Sequence, residues 1–180
     1  MKTFVRTCNA LLIIVMTIVL FSAIYQEFHG QGLPCPYCWL QRMGMMGVST
    51  ALLMNLRFGI RLKPYTIALF FAFIGGAVAL RQISFHVCPE YPTFGYPVMG
   101  FNLYTWSFIV FCCAATSIFI FLFLYEQKQE KPEKMHPIEW LAFIGIVAVT
   151  LTNCGLLYAQ CGFERCKEVS PPQHTFRASR

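Results

Sequence analysis

The sequence predicts an all-α integral membrane protein: a bundle of four transmembrane helices followed by a fifth. Three observations predict this. Of 180 residues, 57% are hydrophobic and only 12% are charged, whereas ordinary soluble domains carry about 25% charge. The apolar residues fall into five blocks, roughly 8–27, 38–56, 64–81, 103–125 and 138–159. Each approaches the ~20 residues that cross a hydrocarbon core as a helix, the form that satisfies every backbone polar group within one segment. Lys and Arg also gather in alternate connections, as they do at helix ends on the cytoplasmic side. The length suits a single membrane domain, 1–180, with 160–180 as an outer tail.

The first block follows Lys2 and Arg6. It resembles a signal peptide, but no small-x-small cleavage site follows it and four more apolar blocks do. It reads as a retained first helix. The second block is the least apolar, with Arg42, Asn55 and several small residues, a composition that suits the interior of a bundle. Arg57, Arg61 and Lys63 fill the short link to the third block, while residues 25–34 contain no Lys or Arg. The N-terminus is therefore expected inside and, after five crossings, the C-terminus outside. The fourth block, Leu103 to Tyr125, is the cleanest. The link from Glu126 to Pro137 carries three Lys and three Glu on the inner side. The net charge of +6 is thus mostly a topology signal; no basic-aromatic patterning supports nucleic-acid binding.

Nine cysteines sort sharply under this topology. Cys35, Cys38, Cys88, Cys161 and Cys166 all face outward, where disulfides persist. Cys8, Cys112 and Cys113 read as small apolar packing residues. Cys154 lies about one turn from the outer boundary.

The chemistry is expected in Leu33 to Arg42, Leu-Pro-Cys-Pro-Tyr-Cys-Trp-Leu-Gln-Arg. Cys35 and Cys38 are spaced to close a small disulfide. Pro36 suits the first turn of a helix, so helix two should begin at the motif. A helix N-terminus and a Cys-x-x-Cys context both favour the thiolate, the attacking species in disulfide exchange. Arg42 shares a helix face with both cysteines. Near a membrane it is a functional candidate, for a thiolate or for a carbonyl oxygen of a bound acceptor; the plainer role is snorkelling to headgroups, with Trp39 in the aromatic belt.

These residues resemble the signature of the disulfide bond formation protein B (DsbB) family of membrane thiol oxidases: a Cys-x-x-Cys at the start of the second helix, with an arginine four residues after the second cysteine. The similarity is expected over residues 8–125. It implies a four-helix bundle of DsbB type, here with a fifth helix, in a bacterial inner membrane with the N-terminus cytoplasmic and the C-terminus periplasmic. It implies that a reduced, soluble, DsbA-like thioredoxin-fold protein passes two electrons to the Cys35–Cys38 disulfide, and that these continue to the membrane quinone pool, ubiquinone or menaquinone. Cys38 would face the quinone, Cys35 would exchange with a second cysteine pair, and Arg42 would assist quinone binding. A partner near about −120 mV would lose roughly 3 kcal/mol in reducing a thiol pool near −180 mV, so a lipid-soluble oxidant is the natural sink.

The chain departs from the family in its second pair. The second outer loop, expected at about Gln82 to Asn102, holds only Cys88, and the tail adds Cys161 and Cys166. The second pair is Cys161–Cys166, exchanging through Cys88, or Cys88 with Cys161 or Cys166; a tail bridge that only fastens the fifth helix stays open beside these. The loop's prolines and aromatics suit the membrane surface, as an anchor or as one wall of a quinone pocket. His86 and His29 read as thiol-tuning or interfacial. Three other functions compete: a reducing thiol carrier, a metal-binding protein using Cys35, Cys38, Cys161, Cys166 and His86, and a purely structural protein. No metal site is expected under the oxidase reading.

Overall fold

In the structure, a computed structural model, residues 2–29, 36–87, 99–123 and 136–161 are described. They form five helices: α1 (Lys2–His29), α2 (Pro36–Phe58), α3 (Leu62–Val87), α4 (Leu103–Phe123) and α5 (Pro137–Cys161). Four of them, α1, α3, α4 and α5, are long and apolar enough to cross a membrane. The protein is an all-α membrane bundle. α2 falls short because it carries its polar residues inward: Gln41, Arg42, Ser49 and Asn55 are all buried.

α2 packs against α3 and α1, α4 lies along α3, and α5 lies along α1 with a smaller contact on α2. The core runs through all five helices, with Leu20, Leu52, Tyr65, Phe111 and Ile146 among its members. Large apolar side chains such as Ile18, Phe70, Phe119 and Leu151 cover the outside. That pattern is the reverse of a soluble surface, and it fits a lipid solvent.

Glycines set the closest approach. A Cβ on Gly75 would stand 2.2 Å from Cζ of Phe111, and one on Gly44 would stand 3.1 Å from that same atom. The Phe111 ring thus fills the space left by two missing side chains, where α2, α3 and α4 meet.

The helix ends follow local chemistry. α2 opens at Pro36, as the motif predicts, and closes before Gly59, which has a φ of +85°, the left-handed conformation favoured after a helix C-terminus. Asn55 Oδ1 then accepts the Arg61 backbone N–H at 2.9 Å, closing the turn to α3. At α5, Pro137 takes the first position. Glu139 accepts the His136 N–H at 3.0 Å, which is half of a capping box. Both Glu139 oxygens also accept from Arg6, at 2.8 and 2.7 Å. This pair ties the start of α1 to the start of α5, so the first and last helices run parallel.

Three expectations change. α1 begins at Lys2 rather than near residue 8, and α3 continues to Val87 instead of stopping near 81. Gln82, expected in a loop, is helical and 1% exposed. Cys112 and Cys113 are exposed on α4 rather than packed inside; Cys8 does pack against the core.

Candidate active site

The first three turns of α2 place Cys38, Gln41, Arg42 and Met45 on one face. This face meets Val19, Leu20 and Ala23 of α1, and Leu103, Tyr104 and Ser107 of α4. Together they line a cavity of about 50 Å³. Cys38 is half-buried, and Arg42 is 7% exposed.

Arg42 turns into the bundle instead of reaching for headgroups. One terminal nitrogen pairs with a Glu27 carboxylate oxygen, and the other donates to the Ala23 carbonyl at 3.0 Å. Its guanidinium carbon lies 5.2 Å from the centre of the Trp39 ring, within cation–π range. Trp39 therefore braces Arg42. The Arg42 Nε is buried and has no hydrogen-bond partner. A buried charge is costly unless paired and hydrogen-bonded. Glu27 supplies the pairing, and one donor remains unused.

α3 reaches the site because it runs six residues past its expected end. Gln82 Nε2 donates to Cys38 Sγ at 3.6 Å, and Gln82 Oε1 accepts from Gln41 Nε2 at 2.6 Å. Tyr37, inside the motif, packs against Phe85 with ring centroids 6.0 Å apart. On α4, the Tyr104 hydroxyl accepts from Asn102 Nδ2 at 2.6 Å.

The structure thus brings Cys38 and Arg42 together, as helical spacing predicts. It adds Glu27, Gln41, Gln82 and Tyr104, which sequence reasoning missed. Gln41 and Arg42 are adjacent on α2, so an inward polar pair was the available signal for Gln41. Nothing local marked Glu27 or Gln82, whose roles arise from packing. Cys35, Cys88 and Cys166 lie outside the described residues. Cys161 ends α5 and His86 lies on α3, but their side chains, like that of His29, are also outside them. The pairings Cys35–Cys38 and Cys161–Cys166, and those of Cys88 with Cys161 or Cys166, therefore lie there too. Among the described residues, no three His, Cys, Asp or Glu side chains cluster as a metal site would require.

The site's one unused donor suits a carbonyl oxygen. A carbonyl oxygen would satisfy the buried Arg42 donor, with the Cys38 sulfur on the same cavity wall. Ligand pockets usually span about 300–1,000 Å³, so this cavity admits the edge of a ring and not a whole headgroup.

Residues 5–93 match the model of a protein family described as disulfide bond formation protein DsbB. The match includes Cys35, Cys38, Arg42 and Cys88 and ends before α4, short of the expected residue 125. No curated protein and no solved structure matches the chain significantly.

Proposed function

From the premise that this chain belongs, through residues 5–93, to the DsbB family of membrane disulfide bond formation proteins, we propose that it is a quinone-dependent thiol oxidase. It takes electrons from a reduced, soluble, DsbA-like thioredoxin-fold protein and passes them to the membrane quinone pool. Family membership carries the general activity of a disulfide oxidoreductase. The specific reading rests on one observation: Cys38 and a buried Arg42 with an unused donor line the same cavity.

In this reading the Cys38 end of the bundle faces the periplasm of a bacterial inner membrane. The Arg6 end faces the cytoplasm, with Arg57 and Lys63 on that side. Cys35 and Cys38 form the redox pair. Arg42 holds the acceptor through Nε–H while Glu27 and the Ala23 carbonyl fix its other two nitrogens. Trp39 restrains the guanidinium plane. Leu20, Met45 and Leu103 keep the cavity apolar and limit water. The quinone supplies a two-electron, two-proton sink. Cys88, Cys161 and Cys166 serve as the second, exchanging set at the outer surface.

Turnover tests this. Purified protein given a reduced dithiol partner should reduce quinone, and Cys35→Ala or Cys38→Ala should abolish the reaction. Turnover that survives either substitution overturns the mechanism. Membrane-impermeant thiol reagents should reach reduced Cys35 and Cys38 from the periplasmic side; labelling confined to the cytoplasmic side overturns the orientation.

A further inference from the structure

A buried amide pair, Gln41 of α2 and Gln82 of α3, lies beside Cys38. Gln82 is 1% exposed and Gln41 is 3% exposed. Two buried primary amides are costly unless their atoms are matched. Here they match each other, with Gln41 Nε2 donating to Gln82 Oε1 at 2.6 Å. That bond orients Gln82: with Oε1 committed to Gln41, Nε2 points at the Cys38 sulfur, 3.6 Å away.

We infer that Gln82, aimed by Gln41, is a positioning residue that holds Cys38 as a thiolate. An incoming thiolate attacks Cys35, a new S–S bond forms there, and the Cys35–Cys38 bond breaks. Its electron pair leaves on the Cys38 sulfur. The Gln82 N–H faces the sulfur on which that charge develops, a donor aimed where the negative charge appears. A hydrogen bond to a charged acceptor is worth more than one to a neutral acceptor, so the contact favours the thiolate over the thiol.

The amide complements the ionic groups nearby. α1 contributes Glu27, already paired with Arg42 of α2. α3 contributes Arg81, whose guanidinium carbon lies 5.5 Å from the centre of the Phe85 ring. α4 contributes the Tyr104 phenol. The described side chains of α5 carry one charge, Glu139, bound to Arg6 at the opposite end. Glu27 and Arg42 pair with each other, and the Gln82 amide is a neutral donor in contact with the sulfur itself.

The inference rests on the oxidase reading for what the thiolate is for, but its test does not. In fully reduced protein, the pH dependence of Cys38 alkylation by iodoacetamide, located by peptide mass spectrometry, gives the thiol's apparent pKa. Gln82→Met should raise it, slowing alkylation at neutral pH by about tenfold. Gln82→Glu should slow it further, by facing the sulfur with a carboxylate. Gln41→Met keeps the Gln82 donor but removes its aim, and should give a smaller slowing. If Gln82→Met fails to fold, Gln41→Met decides. A Cys38 profile unchanged in the folded variants means that the amides only fill space, and overturns the inference. Quinone reduction by the unsubstituted protein is measured in parallel, and its absence would count against the oxidase reading alone.

Discussion

Arg42 sits where two demands meet. It must stay charged inside a bundle, and it must keep one donor available. Glu27 meets the first demand, with its side chain only 13% exposed. Removing one member of a largely buried ion pair leaves a charge without compensation. Glu27→Gln should therefore lower the thermal stability of the detergent-solubilised protein by about 1–3 kcal/mol, less than a fully buried pair because water still reaches the carboxylate. Arg42→Ala should act differently, raising the quinone KM more than it lowers kcat. Kinetics unchanged across quinone concentrations would return Arg42 to anchoring. The part of the site written in consecutive residues was legible: Cys38 and Arg42 lie four apart on one helix, and helical spacing alone joins them. Glu27 and Gln82 were not legible, because they meet α2 across 15 and 44 residues of sequence. No pattern within one helix encodes which distant side chain will face it.

Among the elements, the apolar blocks located all five helices because lipid selects strongly for length and composition. Their ends were less legible. Arg81 and Gln82 looked like the edge of the membrane, yet α3 continues for another turn and more. Gln82 there serves the Cys38 site, while Arg81 and Ser84 stay exposed. Gly44 of α2 was read only as a small residue and Gly75 of α3 passed without a reading; the structure gives both a partner in Phe111. Gly75→Ala should force that ring to move and cost about 1–3 kcal/mol. Pairing it with Phe111→Leu should recover part of the loss. A double-variant cycle in thermal denaturation measures the coupling; strict additivity would show that the ring is not the obstacle.

At the scale of the whole molecule, α5 is attached at its start and more loosely beyond. Ala142, Ile146, Val149 and Asn153 are buried, whereas Cys154, Leu157 and Tyr158 are exposed. The bidentate Arg6–Glu139 contact is its polar fastening at that start. Arg6→Met should destabilise the protein by about 3–5 kcal/mol, because it strands a buried carboxylate. Arg6→Met combined with Glu139→Met should restore most of that, as read from the melting temperature. A double variant as weak as the single one would mean that the ions themselves are indispensable.

The same contact joins residues that are made far apart in time, one in α1 and one in α5. Arg6 emerges from the ribosome well before its acid, which arrives only with α5, 133 positions later. Until then the cation must wait at the lipid boundary, solvated by water or headgroups. Burial of that arginine therefore marks the insertion of α5, and a chain arrested after α4 would still display it to the aqueous side.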